Sequence, residues 1–386
     1  MKLRELLPEK AYSEALVDTF IHSRDGSDYA GVCTAVVWPT TKEDLISLLK
    51  FGTSKEVHFT IRGAATNTMG GCVPAQAVVV NMERMNKIVE WGSDFVVVEA
   101  GVILGELLHV LKKKRLFFPI VPVEFPVCTI GGMVATNTSG LDTSYGKMED
   151  WVTEIDAIDG KGNRVHATGP MLNDFLGMEG TTGIVYRVKL KFLSEPRKKT
   201  VTLFKFNTLT ALMDKVYIVD KNHSVIAVEY FDEFCSRVLG LGDAAHLLVE
   251  YKNDSGLIKN MEEIVQLEAL KEKLHHILAD KKYTQKEDPK IPLEQTAKFL
   301  HWLQKNGVPC FGHMKLRILH PCFREGSRLP QEMYALVKTI GGDIVGQYGV
   351  GVLRRKFLKE EKRARVVSLK NTYDPEKRLN TGVLIA

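Results

Sequence analysis

Hydrophobic positions change rhythm twice along the chain. Residues 33–38 (CTAVVW) read as a strand that runs into Pro39-Thr40-Thr41-Lys42-Glu43. Thr40 with Glu43 forms a capping box, opening a helix whose Leu45, Leu48 and Leu49 make an apolar stripe. Residues 57–61 alternate as a strand and enter a glycine-rich turn at 62–71, with further strands expected at 77–81 and 96–100. Leu104, Leu107, Leu108 and Leu111 fall at helical spacing. Strands at 154–158, 164–167 and 183–193 follow, the first two joined by the turn Asp159-Gly160-Lys161-Gly162 as a hairpin. Up to about residue 198 the pattern is α+β, with short strands and few helices. From residue 200 glycine thins out. A helix rich in Glu, Lys and Leu is expected over 256–279 and another over 293–306, with strands at 225–229, 246–250 and 313–319. A third texture starts at Gly341-Gly342, and glycines return in the tail from Tyr348.

These shifts divide the 386 residues into 1–198, a cap at 199–340 and a C-terminal segment at 341–386. A net charge of +5 is spread out, and the short basic runs at 112–115, 197–199 and 354–356 read as solvated faces rather than a nucleic-acid groove. The six cysteines contain no CxxC pair, so no zinc knuckle or iron–sulfur run is expected, and their scatter suits reduced thiols in the cytoplasm. The N-terminus is too charged for a signal peptide, and no apolar run approaches a membrane span. Any membrane association is therefore expected to be peripheral or through a partner.

Residues 128–146 (CTIGGMVATNTSGLDTSYG) hold four glycines, four threonines and two serines, yet stay partly apolar. The mix suits a chain that follows a large polar ligand on one side and packs on the other, or else a buried loop. Two glycine-rich turns after strands suggest a nucleotide cofactor, but the familiar signatures fail. Gly349-Val350-Gly351 and Gly240-Leu241-Gly242 lack a third glycine, and Gly140 to Lys147 is not a Walker A run.

Four motifs occur in order. They are Arg62-Gly63-x-x-Thr66-x-x-x-Gly70-Gly71; Val98-Glu99-Ala100-Gly101; Thr129-Ile130-Gly131-Gly132-x-Val134-Ala135-Thr136-Asn137 with Gly140 and Tyr145-Gly146; and Gly177-Met178-Glu179-Gly180-Thr181-Thr182-Gly183-Ile184-Val185. Together they resemble the flavin domain of the vanillyl-alcohol oxidase/p-cresol methylhydroxylase superfamily. Within it, the chain is most similar to the D-lactate dehydrogenase/glycolate oxidase FAD-subunit branch. The resemblance covers about 28–196 and resumes at Asp374-Pro375 and Leu379-Asn380-x-Gly382. It implies an α+β fold: a two-subdomain FAD-binding domain, an α/β cap, and a tail returning to the flavin domain. Arg62, Gly63, Ala64, Ala65, Thr66, Asn67, Gly70 and Gly71 would then form an anion nest for the FAD pyrophosphate. Thr129, Gly131, Gly132, Ala135 and Asn137, with Pro122, Gly140 and Tyr145, would line the ribityl chain and flavin. Glu179, Gly183, Ile184 and Val185 would hold the adenosine side, and Asn380 would reach the ring region. Many relatives attach the flavin through a histidine in the first glycine turn. Here Thr68 and Met69 stand there, so non-covalent FAD is expected. Glu124 replaces a serine of the branch, so it must point away from a pyrophosphate or that contact is lost.

His313 and His320 stand in register with two family histidines that, with a later glutamate, bind a divalent metal holding a 2-hydroxy acid. Gln347 replaces that glutamate, and Tyr348 replaces the histidine that serves as base in the branch. An amide is a poor ligand and two imidazoles rarely retain zinc, so no metal is expected. His313, His320 and Arg317 or Lys315 remain candidates for acid/base chemistry or carboxylate binding, and Tyr348 for proton relay. Strand alternation puts His313, Lys315 and Arg317 on one face and His320 on the other unless the strand breaks. Leu274-His275-His276-Ile277 reads as a helix face. The implied activity is FAD-dependent oxidation of a small 2-hydroxy acid of the D-lactate or glycolate type. Electrons would pass to a separate iron–sulfur, quinone-linked or flavoprotein acceptor. Two alternatives stay open: a FAD-carrying relay or non-catalytic subunit of a larger complex, and a flavoenzyme for another alcohol, sugar or lactone.

Overall fold

The computed structural model describes residues 2–27, 29–194, 199–252 and 261–385. Asp28 and Pro196, which bound the resemblance, Arg197-Lys198 of one basic run, and 256–260 of an expected helix lie outside the described residues. The chain divides into two compact units. One comprises Met1–Gly140, Tyr145–Pro196 and Tyr348–Ala386, and the other Leu141–Ser144 and Arg197–Gln347.

In the first unit, strands β1 (Tyr12–Ser13), β2 (Cys33–Val37), β3 (Phe59–Arg62) and β4 (Ala77–Asn81) form a sheet in the order β1-β2-β4-β3. The pairs β2–β4 and β3–β4 are parallel, so the chain must cross over between β2 and β3. Helix α2 (Lys42–Lys55) makes that crossing, after a short α1 (Leu16–His22). Its capping box lies one residue beyond the expected Thr40/Glu43. Thr41 Oγ1 accepts from Asp44 N–H at 3.1 Å, while the Asp44 carboxylate takes the Thr40 and Thr41 N–H groups at 2.8 and 2.9 Å. Two overlapping boxes are written into TTKED, and the one whose carboxylate satisfies two orphan donors wins. Leu45, Leu48 and Leu49 bury their stripe against β2, β3 and β4, each contributing about 1.5–3 kcal/mol.

The second sheet of this unit is antiparallel, in the order β5 (Ile88–Trp91), β6 (Phe95–Glu99), β9 (Gly183–Lys191), β7 (Val152–Asp159), β8 (Arg164–Thr168). The expected hairpin is β7–β8. Helices α3 (Leu104–Lys113) and α4 (Ile130–Thr136) pack on it, with Leu104, Leu107 and Leu111 buried beside Ile130 and Met133. The returning tail carries a helix at Glu360–Tyr373 and docks Leu379 beside Phe59 of β3. The buried Lys370–Asp374 ion pair, at 2.7 Å, holds that end in place.

The second unit is one antiparallel sheet, in the order β10 (Lys199–Phe206), β12 (Ala245–Lys252), β11 (Val225–Phe231), β14 (Cys310–His313), β15 (Ile318–Phe323), β13 (Gln285–Lys286). Helices α5 (Leu209–Asp220), α6 (Glu233–Val238), α7 (Met261–Asp280), α8 (Thr296–Lys305) and α9 (Leu329–Thr339) accompany it. The single strand expected at 313–319 is instead a hairpin. The chain leaves β14 at His313, makes a 3₁₀ turn over Met314–Leu316, and passes through Arg317 at φ 63° into β15.

Candidate active site

In the first unit, three tight backbone segments meet. The 128–146 stretch is not a loop throughout: Thr129 caps the short helix α4, its Oγ1 accepting from Gly132 N–H at 3.3 Å. Gly131 lets α4 sit on the end of β6, where its N–H bonds the Ala100 carbonyl at 2.7 Å and a Cβ would stand 2.7 Å from the Ala100 methyl. A Cβ at Gly63 would overlap Thr129 Oγ1, so the first glycine turn presses directly on the cap of α4. The 177–182 turn closes the third side. Its Gly177 and Glu179 N–H groups bond the Val134 and Ala135 carbonyls at 3.0 and 2.9 Å.

The first glycine turn has donors to spare. The N–H groups of Ala64, Ala65, Thr66, Asn67 and Thr68 find no acceptor among the described residues, while Ala65 and Gly70 take positive φ. A run of unspent, partly exposed amides in a left-handed turn is the geometry of an anion nest, and it fits a dinucleotide pyrophosphate. Arg62 reaches back to the Arg24 carbonyl. Glu124 lies exposed.

Other predicted cofactor residues also make bonds and contacts within the scaffold. Asn380 is 3% exposed. Its Oδ1 accepts from Ile61 N–H at 2.7 Å, and its Nδ2 donates to the carbonyls of Glu179 at 2.7 Å and Gly71 at 3.4 Å. It ties β3, the first glycine turn and the 177–182 turn into one piece. The buried Glu179 carboxylate accepts from Val350 and Gly351 N–H at 2.7 and 2.8 Å, and burial raises its pKa. Asn67 Nδ2 bonds the Tyr348 carbonyl at 2.9 Å, which holds the first residue of the returning tail over this turn. Tyr145 packs edge-on against Phe117 and Trp151 in the core. Asn137 caps α4 in left-handed backbone and spends its amide on Glu149. Gly140 approaches the Val121 backbone, and Pro122 starts the tight turn before α4. Gly183, Ile184 and Val185 are ladder residues of β9, paired with β7.

The second unit brings His313 and His320 together. Register sets Phe311 opposite His320 and His313 opposite Ile318, so His313, Phe311 and His320 share one face. The two imidazoles meet edge to face with centroids 5.1 Å apart. On the other side of β14, Glu229 of β11 stands directly opposite His313. Its Oε2 lies 2.6 Å from His313 Nδ1, and its Oε1 accepts from the Thr143 hydroxyl at 3.2 Å. Glu229 is 3% exposed. Because a carboxylate only accepts, His313 Nδ1 carries a hydrogen and donates it to Glu229. His320 Nδ1 donates to the Glu287 carbonyl at 3.2 Å. Burial, then the neighbouring His313, pushes the His320 pKa down to about 3, so this ring is neutral. His275 of α7 joins from above, its ring 5.0 Å from Phe311 and its pKa lowered first by burial, then by Lys286. Arg317 and Lys315 do not join. Arg317 pairs with Asp220 at 2.9 Å, and Lys315 bonds the Val225 carbonyl at 3.0 Å.

Glu229 was missed in sequence, although a lone carboxylate inside the apolar run VIAVEYF was the available signal. His275 looked like a helix face because its partners come from another part of the chain.

The divalent metal that the resemblance associates with these histidines does not fit the residues present. The third ligand position is Gln347, whose backbone N–H bonds Asp288 and whose buried Nε2 has no partner among the described residues. Glu229 has turned both oxygens to His313 and Thr143. Among the described residues, no group of three or more His, Cys, Asp or Glu is arranged to hold a metal.

Two family models match parts of the chain. Residues 33–168 match the FAD binding domain family, and residues 310–384 match the C-terminal domain of FAD linked oxidases. The chain is an FAD-linked oxidoreductase. It is 24% identical to the glycolate oxidase subunit GlcD of Bacillus subtilis, covering 97% of this chain and 94% of that protein. It is also 24% identical to a D-lactate dehydrogenase of Archaeoglobus fulgidus (91% of each) and 22% identical to a D-2-hydroxyglutarate dehydrogenase of Stutzerimonas stutzeri (93% and 92%). An alkyldihydroxyacetonephosphate synthase structure shares the fold, with a TM-score of 0.74 at 15% identity over 98% of this chain and 83% of that one. This FAD-linked oxidoreductase therefore has the p-cresol methylhydroxylase type of flavin domain. No helix among the described residues is long and apolar enough to cross a membrane.

Proposed function

We propose that the protein oxidises a small 2-hydroxy acid to the 2-oxo acid and passes the electrons to a separate protein or quinone acceptor. The observation that carries this is the cluster Glu229, His313 and His320, three polar side chains brought together on the neighbouring strands β11, β14 and β15. The relatives named for glycolate, D-lactate and D-2-hydroxyglutarate support the substrate class. Bound FAD supplies the two-electron acceptor. The unspent amides of 64–68 would hold its pyrophosphate, and the Thr129–Gly63 contact with the Asn380 ties would keep the cradle rigid. His313, held by Glu229, is the group able to take a proton. Burial keeps the neighbouring His320 neutral, so it adds no charge beside His313.

A second proposal, a FAD-carrying electron relay, is favoured by Gln347 and Tyr348 standing where the branch has its ligand and base. Anaerobic mixing of the flavin-loaded protein with both enantiomers of lactate and 2-hydroxyglutarate, and with glycolate, separates the two. Bleaching of the flavin by one acid supports the oxidase. Flavin that resists every acid but accepts electrons from a reduced partner protein supports the relay.

A further inference from the structure

The metal-binding triad of the branch has lost its carboxylate at Gln347, while the first histidine has a buried carboxylate of its own. Glu229 and His313 face each other across adjacent strands, so the 2.6 Å contact is set by sheet register rather than by flexible side chains. Thr143 fixes the second oxygen of Glu229, which leaves that side chain one orientation. An imidazole with Nδ1–H on a buried carboxylate presents Nε2 as a proton acceptor and is stabilised when it becomes cationic. His320 stands edge to face with His313, ring centroids 5.1 Å apart, and is itself tied through Nδ1 to the Glu287 carbonyl.

We infer that this chain has exchanged metal-assisted substrate activation for a carboxylate–imidazole pair, with His313 as the proton acceptor and Glu229 as its positioning residue. This deepens the 2-hydroxy-acid reading and rests on it. In the reaction the substrate O–H bond breaks and its proton goes to His313 Nε2. The hydrogen on C2 leaves with its electron pair to the two-electron acceptor of the proposed activity. The C2–O bond becomes the carbonyl of the 2-oxo acid, and the proton on His313 is released to solvent.

The experiment uses the full-length, flavin-loaded chain in anaerobic stopped flow with the acid that bleaches wild type fastest, alongside metal analysis of the same sample. Wild type should hold no stoichiometric divalent metal and should bleach equally fast after chelator treatment. Glu229→Gln should slow bleaching on the order of 10²-fold, and His313→Ala by about 10²–10⁴-fold. Free imidazole should restore part of the His313→Ala rate. Glu229→Asp, which keeps the charge, should fall between wild type and Glu229→Gln. Binding is read separately by the spectral shift on adding 2-hydroxyisobutyrate, which has no hydrogen on C2 to lose. That shift should persist in Glu229→Gln, showing a folded, flavin-loaded protein. Stoichiometric metal whose removal stops bleaching, variants as fast as wild type, or His313→Ala deaf to imidazole would each overturn the inference and leave the oxidase reading standing. If no hydroxy acid bleaches wild type, both fall together.

Discussion

Replacing Asn380 with alanine should loosen the flavin domain more than any exposed change in the glycine turns. The side chain is 3% exposed and makes two bonds of 2.7 Å, accepting from Ile61 N–H and donating to the Glu179 carbonyl, with a longer third to Gly71. Truncation leaves the half-buried Ile61 amide and the buried Glu179 carbonyl unpaired, at about 1–3 kcal/mol each. Asn380 also sits at φ 43°, where alanine is less comfortable than asparagine by about 1 kcal/mol. The sum is about 3–7 kcal/mol, a large share of the ~5–15 kcal/mol typical of a domain. Asn380→Gly removes the same bonds but tolerates the backbone, so it should lose about 1 kcal/mol less. Urea unfolding of the apoprotein measures the loss, and a flavin titration measures whether the 62–71 and 177–182 turns still act together. Alanine and glycine variants within about 1 kcal/mol of wild type, with unchanged flavin affinity, would show that the three segments do not depend on this amide.

Gly63→Ala should weaken FAD retention by placing a methyl on Thr129 Oγ1. Adding Thr129→Ala should recover part of the loss despite costing the cap about 1 kcal/mol, and purely additive losses in flavin titrations would contradict that contact. His320, with its pKa near 3 in the fold against about 6.5 when unfolded, binds a proton in the unfolded chain that the folded one refuses. Stability of the second unit should therefore be fully present above about pH 6.5 and fall as pH drops towards 3. The fall should be on the order of 3–5 kcal/mol, and His320→Gln should flatten it in denaturant midpoints measured against pH. Acid precipitation should leave all the flavin in the supernatant, because 62–71 holds neither histidine nor cysteine and burial pushes the Cys72 thiol up to about 12. Flavin remaining on the precipitated chain would overturn this.

Elements built from local rules were legible in sequence. Strand 77–81 is apolar from Ala77 to Val80 and buried on both faces, and the Leu45, Leu48, Leu49 stripe could only be a helix. What escaped was decided at long range. The 313–320 hairpin was invisible because its left-handed turn residue is Arg317 rather than glycine or asparagine. Once it is folded, the apparent conflict between the faces of His313 and His320 disappears. Helix α4 carries two adjacent glycines, poor helix formers, and the packing of Gly131 on Ala100 outweighs that propensity. Motif positions carry no record of what a side chain bonds, so the backbone ties that Asn380 and Glu179 make were not legible in sequence. Arg354, counted with a solvated basic run, is in fact buried, its guanidinium 6.0 Å over the Tyr348 ring.

The central claim is two-electron oxidation of a 2-hydroxy acid by a protein-held flavin, and a single-turnover balance tests it most directly. Flavin-loaded protein is mixed anaerobically with excess of the preferred acid, quenched after bleaching, and assayed for 2-oxo acid. The account predicts one equivalent of 2-oxo acid for each flavin bleached, and no bleaching by the other enantiomer where the acid is chiral. Bleaching without 2-oxo acid, or a flavin that no hydroxy acid reduces, would contradict it.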